Sequence, residues 1–327
     1  MEYQDLRLSL WDDPELRDEL IGWVAGHVAA RGARLLADPP QVRIRPWSTT
    51  ARFTASDGAV WFKANAPGGE FEAALTGALS VWTPGWVATP LAVDAERGWS
   101  LLAGTARPLR DHVSAPDDFR AWEAMLAAYA ELQRTLTGRV PDLLDLGVPD
   151  LRPTALGDRL DAFLDDPAVV EALGADHSTL VKQRPEFDTH CRLLTGSAIP
   201  PSLDHADLHI GNVLVRDGGY RFFDWGDSAV AHPFSSLLVP LRMAANAFGA
   251  DRDQLSRLRA AFLEPWTADH PAAELHEELR LALSLAPVGR AVSWSRIFPE
   301  LRPAVRHAHL LQVARWLRAL IDGGPLP

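Results

Sequence analysis

The segment His205-Ala206-Asp207-Leu208-His209-Ile210-Gly211-Asn212 decides the fold of this sequence. It leads into two short, mainly apolar runs, 213 to 215 and 220 to 223, which are separated by the turn Asp217-Gly218-Gly219. Apolar runs on both sides of a glycine-containing turn predict a β-hairpin. A second acidic cluster, Asp224-Trp225-Gly226-Asp227, closes the hairpin. A short hairpin would bring Asn212 and Asp224 side by side.

The carboxylates and the amide in this stretch are of the kinds that phosphoryl transfer requires. One carboxylate must orient the attacking hydroxyl and accept its proton. Hard oxygen ligands must also hold magnesium on the nucleotide phosphates. A loop and an adjoining strand end supply both kinds of group here.

The pattern H-x-D-x-x-x-x-N followed by D-x-G is the catalytic-loop and metal-loop pair of kinases. The form with Ala206 and a second histidine at His209 resembles the aminoglycoside phosphotransferase and related small-molecule kinase family. Protein kinases usually carry arginine in place of Ala206. By this resemblance Asp207 is the catalytic base, and Asn212 and Asp224 bind magnesium.

The resemblance also implies a fold and an activity. The expected fold is α+β and bilobal, like that of protein kinases, with a small antiparallel-sheet N-lobe containing one helix and a larger, mostly helical C-lobe. The expected activity is transfer of the γ-phosphate of ATP, with Mg²⁺, to a hydroxyl of an aminoglycoside, an amino sugar or a similar molecule. In such an enzyme His205 braces the loop. The position of Asp227 is commonly acidic in the relatives, but no role is assigned to it.

Two other functions remain open at this point. His205, Asp207 and His209 are spaced i, i+2, i+4 and would share one face of a strand, as in a metallohydrolase. Further ligands could then come only from scattered histidines such as His190 or His232. A nucleotide-binding pseudokinase is the second alternative, and the intact set of candidate residues argues against it.

A kinase also needs a lysine on a strand to hold the nucleotide phosphates. Lys63 ends the predicted strand Val60-Trp61-Phe62-Lys63, and the chain has only one other lysine, Lys182. The next helix should carry a glutamate that pairs with this lysine. Glu70 and Glu72 compete, and Glu72 is favoured because it lies about one turn before the apolar positions Leu75 and Leu79, as in the corresponding helix of the family that the motifs resemble.

Two further nucleotide contacts are expected in the N-lobe. The phosphate-covering loop should lie between the first two strands, at residues 46 to 50, where backbone amides and the hydroxyls of Ser48 and Thr49 could reach phosphates. This loop has no glycine, unlike that of protein kinases. Leu102 and Ala103, at the hinge that follows the last N-lobe strand, are expected near the adenine.

Periodicity places the elements along the chain. It predicts a helix over 13–36, strands between 42 and 103 with a helix over 70–82, and mainly helices beyond Pro108. The later helices are predicted over 116–137, 155–173, 234–248, 252–263, 272–286 and 303–321, with a loop over 139–153. The domains are a helical extension at 1–40, a nucleotide-binding N-lobe at 41–104, and a C-lobe at 105–327 that carries catalysis and substrate binding.

Acceptor-binding residues are expected after the metal loop, where acids bind amines or hydroxyls and aromatic faces stack on sugar rings. His205 and His209 in the catalytic loop are candidates for a structural or a substrate-binding role. After the metal loop, the resemblance implies as candidates Trp225, Asp227, His232, Trp294 and Arg296. The last two lie in a polar and aromatic stretch, 290 to 296, that is predicted to separate two helices.

Composition limits the remaining choices. The 327 residues carry a formal net charge of -11, which argues against general nucleic-acid binding and is compatible with a cationic substrate. The sequence shows no apolar run long enough for a membrane span and no secretory signal, so a cytoplasmic enzyme is predicted. A monomer and a homodimer are both open. Few lysines beside abundant alanine and arginine are typical of a high-GC bacterial source.

Overall fold

A computed structural model describes residues 11–104, 106–113, 118–296 and 303–321 of the chain. The chain divides into two compact units. The first comprises Met1–Pro108, Val213–Gly226 and Arg296–Arg306, as far as these residues are described. The second comprises, within the same limits, Leu109–Asn212, Asp227–Ser295 and His307–Pro327.

A five-stranded antiparallel sheet forms the centre of the first unit, in the order β1-β2-β3-β5-β4. Its strands are β1 (Gln41–Arg45), β2 (Ser48–Ala55), β3 (Gly58–Asn65), β4 (Pro90–Asp94) and β5 (Trp99–Ala103). Side chains alternate between the two faces of a strand. Phe53, Phe62 and Leu101 are therefore buried on one face, whereas Lys63 lies on the other, opposite Thr50 and Ser100.

The N-terminal helix α1 (Pro14–Ala30) covers the apolar face of this sheet through Leu20, Val24 and Val28. Asp13 caps the helix by accepting hydrogen bonds from the N–H groups of Glu15 and Leu16 at 2.9 and 3.2 Å. The prediction of a helix to residue 36 was wrong. Gly32 takes a left-handed φ of 80°, and the chain beyond it runs beside β2, where Leu35 pairs with Ala55.

The other helix in the sheet region, α2 (Phe71–Trp82), packs against β4. The predicted hairpin forms from β8 (Val213–Arg216) and β9 (Gly219–Phe222), and β6 (Arg107–Pro108) adds a third strand to it. Because Val213 pairs with Phe222, the acidic segment starting at Asp224 follows directly on the end of this ladder.

Helices make up most of the second unit. They are α3 (Phe119–Leu136), α4 (Val140–Asp145), α5 (Pro153–Asp165), α6 (Pro167–Leu173), α7 (Asp176–Thr195), α8 (Leu238–Phe248), α9 (Arg252–Leu263), α10 (Ala272–Ser295) and the greater part of α11 (Pro303–Ile321). A two-stranded ladder of β7 (Ser202–Asp204) and β10 (Ala229–Ala231) accompanies them.

Several predicted boundaries in this unit were wrong. Helix α7 was missed because its buried positions, Leu180, Phe187, Cys191 and Leu194, are few and Pro185 interrupts the pattern. The predicted loop over 139–153 contains α4, and the helix predicted over 155–173 is two helices that meet at Asp166. Helix α10 continues past Pro287 to Ser295, so the expected break at residues 290 to 296 does not exist.

Candidate active site

Lys63 lies on β3 between two carboxylates of the first unit. Its Nζ is 2.9 Å from Oε1 and 2.7 Å from Oε2 of Glu72, and it also contacts Oδ1 of Asp224. Glu72 is in the first turn of α2, whereas Glu70 occupies the N-cap and its Cβ lies against Gly98. Of the two candidate glutamates, Glu72 therefore forms the ion pair. We call Lys63, Glu72 and Asp224 the lysine cluster.

The charge of Lys63 is strongly stabilised in this cluster. Burial alone would lower the pKa of its ammonium, but the carboxylates of Asp224 and Glu72 raise that pKa well above its ordinary value. The side chain remains 18% exposed. Lys63 is therefore a permanent cation with an accessible face, which is what phosphate binding requires.

Asn65 supports the cluster and was missed by the sequence analysis. Its side-chain amide donates to the carbonyl oxygen of Gly69 at 2.9 Å and to the carboxylate of Glu72. The N–H of Trp225 donates to Oε1 of Glu72 at 3.1 Å. Asn65 lies two residues after Lys63, so strand alternation was the signal that could have placed it beside the lysine.

Asp224 has an unusual backbone for its residue type. Its φ is 68°, in the left-handed region that residues other than glycine rarely adopt. Backbone strain of this kind is concentrated at functional sites. The conformation turns the chain sharply after β9, and it leaves the carboxylate 45% exposed while one oxygen contacts Lys63.

The face of the sheet that carries Lys63 has further candidate residues. Trp61 precedes Lys63 by two positions on that face and is 43% exposed, opposite Leu102 of β5. The turn between β1 and β2 is shorter than predicted, because β2 already begins at Ser48. Ser48 lies opposite Asn65 on the Lys63 face.

Thr49 and Ala103 lie on the other face of the sheet. Thr49 is opposite Ala64 and is fully buried on the side that packs against α1. This position removes its hydroxyl from the candidate phosphate ligands. Ala103 is opposite Val60, so only its backbone could serve the predicted hinge.

Arg296, a predicted acceptor-binding residue, braces the first unit instead. Its Nη1 donates to the carbonyl oxygen of Gly226 at 3.1 Å, and its guanidinium lies 5.6 Å from the ring centroid of Phe71. Gly68 approaches the Arg296 backbone so closely that a Cβ there would lie 2.4 Å from the Arg296 carbonyl oxygen. Arg296 thus connects the start of α2 to the segment after Asp224.

The loop that carries Asp207 is shaped by a buried network in the second unit. Asp204 Oδ1 accepts hydrogen bonds from the N–H of Ala206 at 2.8 Å and from Ser236 Oγ at 2.7 Å. Ala206 takes a left-handed φ of 57°, which turns the chain just before Asp207. His205 is fully buried, with its ring 6.1 Å from that of Tyr129, as expected for a residue that braces the loop.

Asp207 has charged or polar neighbours at both carboxylate oxygens. Its Oδ1 is 3.5 Å from Nη2 of Arg290. Its Oδ2 accepts a hydrogen bond from the amide of Asn212 at 3.3 Å and lies 3.6 Å from Nε2 of His209. The same Asn212 amide donates to the backbone carbonyl oxygen of Asp207 at 3.0 Å. The carboxylate is thereby held in one orientation and is still 31% exposed.

The surroundings of Asp207 keep it ionised. Burial alone would raise the pKa of its carboxyl, but the charge of Arg290 and the contacts with His209 lower that pKa well below its usual value. Arg290 also lies 3.2 Å, through Nη1, from Oδ2 of Asp227. We call Arg290, Asp207 and Asp227 the arginine cluster. Sequence reasoning missed Arg290 because it assigned residues 290 to 296 to a break between helices.

The metallohydrolase alternative does not match the local backbone. The segment from His205 to Gly211 is a loop, so the side chains of His205, Asp207 and His209 do not share a strand face. His205 points into the core, and Nδ1 of His209 accepts the N–H of Gly211 at 2.9 Å. In the described part of the chain, no three or more His, Cys, Asp or Glu side chains are grouped so as to hold a metal ion.

The remaining candidates have structural surroundings. Trp225 is fully buried, which leaves no face for an acceptor to stack on. The ring of Trp294 lies 5.1 Å from that of His309. His232 is buried, with Nε2 3.1 Å from Glu278, and burial lowers the pKa of its imidazole.

The sequence matches the model of the phosphotransferase enzyme family (APH) over residues 64–276. The chain belongs to this family. The resemblance inferred from the loop motifs is thereby confirmed, and the protein is a small-molecule phosphotransferase. A search of curated proteins gives no match. In the described residues, no helix is both long and apolar enough to span a membrane.

Several solved structures of similar fold align with nearly the whole chain of this phosphotransferase. An ethanolamine kinase of Plasmodium vivax has a TM-score of 0.64 at 11% identity, covering 97% of this chain and 92% of its own. A macrolide 2'-phosphotransferase of Brachybacterium faecium has a TM-score of 0.54 at 16% identity, with coverage of 89% and 97%. An amicoumacin kinase, solved with AMP-PNP and Ca²⁺, has a TM-score of 0.56 at 13% identity, with coverage of 95% and 97%. The predicted kinase-like α+β fold is confirmed.

Proposed function

We propose that this phosphotransferase is an ATP- and Mg²⁺-dependent kinase whose acceptor is a hydroxyl group of a small molecule. The observation that carries the proposal is the state of Asp207, an ionised and partly exposed carboxylate held on a loop by Asn212 and Arg290. Such a carboxylate can orient a hydroxyl and accept its proton late in a loose transition state.

The residues of the lysine cluster fit a nucleotide. The accessible cation of Lys63 suits the phosphates, and the exposed carboxylate of Asp224 suits Mg²⁺. The family motif adds Asn212, through its side-chain oxygen, as the second proposed magnesium ligand. Magnesium in such enzymes keeps several waters and takes one or two carboxylates plus substrate phosphates, so a full protein cage is not needed. When bound, the ion neutralises charge on the transferred phosphate.

Trp61 and Leu102 fit the nucleobase in this proposal. An exposed indole beside an apolar side chain, on the face that carries the phosphate-binding lysine, offers a flat surface for stacking. We assign nucleotide binding mainly to residues 41–104, and acceptor binding and catalysis to residues 105–327. Use of ATP indicates a cytoplasmic enzyme.

The acceptor class follows from the charges of the second unit and from the relatives. Within the arginine cluster two carboxylates, Asp207 and Asp227, face one guanidinium, which favours a hydroxylated amine or amino sugar over an anionic acceptor. Similar solved structures include kinases of ethanolamine and of amicoumacin and a macrolide 2'-phosphotransferase. Antibiotics with hydroxyl and amino groups are therefore part of the proposed acceptor class.

The test is an ATP-consumption screen against hydroxylated amines, amino sugars and antibiotics, with Mg²⁺ and with mass detection of the phosphorylated product. Asp207→Asn should abolish product formation, because it preserves shape and removes the basic charge. Asp217→Asn is the control, since it makes the same chemical change at an exposed aspartate of the hairpin turn. Nucleotide binding without any product would favour the pseudokinase alternative, and an Asp207→Asn enzyme of normal rate would overturn the mechanism.

A further inference from the structure

Arg290 lies in α10, outside residues 64–276 over which the family was recognised. Its side chain is only 9% exposed. A buried guanidinium needs partners, because an unpaired charge in a protein interior is strongly destabilising. The contacts of Arg290 therefore identify the groups that its charge stabilises.

The guanidinium contacts two carboxylates through different nitrogens. Nη2 is 3.5 Å from Oδ1 of Asp207, and Nη1 is 3.2 Å from Oδ2 of Asp227. These two aspartates come from separate segments, the loop after β7 and the short helix Trp225–Asp227 after β9. Arg290 is thus the link between the candidate base and a second acid.

The position of the guanidinium is itself fixed. It lies 5.6 Å from the ring centroid of Trp316, which Arg242 also approaches at 4.8 Å. The Oγ of Ser293, one turn further along α10, donates to the backbone carbonyl oxygen of Asp227 at 3.2 Å. Helix α10 therefore holds Asp227 through its backbone as well as through Arg290.

We propose that Arg290 is a positioning residue of the transfer reaction, holding the carboxylates of Asp207 and Asp227 in one arrangement with Asp207 presented to the acceptor hydroxyl. This inference rests on the proposed function. Without the guanidinium, the negative charges of Asp207 and Asp227 are no longer neutralised. Their mutual repulsion then moves the Asp207 side chain out of its orientation. Lys63, the proposed phosphate-binding residue, is paired with Glu72 and Asp224, so its position does not depend on Arg290.

The experiment compares Arg290→Met, Arg290→Lys and the control Arg242→Met, whose arginine lies over the same tryptophan. Arg290→Met should lower kcat about a hundredfold, as for loss of one preorganised electrostatic contact, with the nucleotide Kd within twofold of wild type. Arg290→Lys should lower kcat only about tenfold. Its ammonium keeps the positive charge but cannot contact both carboxylates in the way that the planar guanidinium does. Arg242→Met should keep kcat within about twofold of the wild-type value, because it changes only the packing on the tryptophan.

A charge-balance rescue separates positioning from packing. In Arg290→Met/Asp227→Asn the repelling acid is gone, so kcat per folded molecule should recover about fivefold over Arg290→Met. Absence of recovery, or a kcat loss that only follows the loss of folded protein, would overturn the proposal. If Arg290→Met does not fold, an Arg290→Lys enzyme with wild-type kcat would overturn it equally.

Failure of the inference about Arg290 can be distinguished from failure of the proposed function. If the wild-type enzyme phosphorylates no acceptor in the screen, the proposed function fails. A double-mutant cycle in thermal unfolding still measures the coupling of Arg290 and Asp227 by Arg290→Met and Asp227→Asn. A coupling of zero would overturn the inference about Arg290 independently of any activity.

Discussion

The lysine cluster and the arginine cluster each place one cation between two carboxylates, yet they hold it differently. Lys63 makes short contacts with both Glu72 and Asp224 and is 18% exposed. Arg290 is 9% exposed, and it reaches its two aspartates at 3.2 and 3.5 Å with separate nitrogens. The first cation is a compact ammonium on a flexible stem, and the second is a rigid fork.

This difference indicates two kinds of work. An ammonium on a flexible stem can turn from a carboxylate toward a phosphate while it keeps its other partner. A planar guanidinium over the ring of Trp316 keeps the geometry of its acids. We expect the lysine cluster to rearrange when nucleotide binds and the arginine cluster to stay as it is. The following predictions test that contrast, in order of expected effect.

The largest effect is expected from Asp224→Ala in the lysine cluster. Loss of this proposed magnesium ligand should lower turnover roughly a thousandfold or more, since a bound metal supplies several kcal/mol of charge stabilisation. Thermal stabilisation by ATP with Mg²⁺ should shrink toward that measured with EDTA. Asp217→Ala, in the hairpin turn, is the control. Near-normal turnover of Asp224→Ala would refute the metal assignment.

Exchange of the cation in the lysine cluster tests its required mobility. Lys63→Arg should lower turnover roughly a hundredfold, close to the loss in Lys63→Ala, because a planar fork cannot follow the phosphates as an ammonium does. Lys182→Arg, at the other lysine of the chain, is the matched control. Steady-state kinetics with nucleotide titration check the result. A Lys63→Arg enzyme of normal rate would remove the distinction between the clusters.

The glutamate that holds Lys63 should contribute less. Glu72→Gln removes the buried anion but keeps its shape, and it should lower turnover about tenfold by misplacing the lysine. Glu70→Gln is the control two residues earlier and should stay within about twofold. Both are checked by kcat and by the KM for ATP. A larger loss in Glu70→Gln than in Glu72→Gln would contradict the role assigned to the observed ion pair.

The smallest effect on chemistry is expected from the scaffold of the second unit. His205→Ala removes a fully buried ring beside Tyr129 and should lower the free energy of unfolding by about 2 to 4 kcal/mol. Activity at low temperature should fall only to the extent that the loop carrying Asp207 becomes less ordered. His209→Ala, whose side chain is 22% exposed, should lower the unfolding midpoint less. Equal shifts in both midpoints would argue against the bracing role of His205.

The sequence predicted the lysine cluster and part of the arginine cluster because short local signals determine them. A loop motif between strands identified Asp207, Asn212 and Asp224, and period-two alternation with a following helix identified Lys63 and Glu72. Such signals extend over a few residues. They are independent of how distant helices pack.

Arg290 could not be found in this way. It lies 83 positions after Asp207 in the sequence, inside a helix that continues through Pro287, and only packing of α10 brings it to the loop. Thr49 shows the opposite difficulty. Its hydroxyl suggested a phosphate contact, but the turn closes at Pro46 and Trp47, so Thr49 already lies in β2. Strand alternation then puts it on the buried face, opposite Ile44 and Ala64.

The packing of α1 on the sheet has a practical consequence for producing the protein. A recombinant fragment cut to residues 64–276 would begin inside β3, immediately after Lys63. It would lack the helix whose Leu20, Val24 and Val28 cover the sheet, and so would expose Trp99 and Leu101 to water. The fragment would also lack β1, β2 and most of β3, which leaves β5 as a new open edge. An uncovered apolar sheet with an open edge is prone to edge-to-edge aggregation. Expression trials should therefore keep the N-terminal helix, and an insoluble 64–276 fragment would reflect this missing cover.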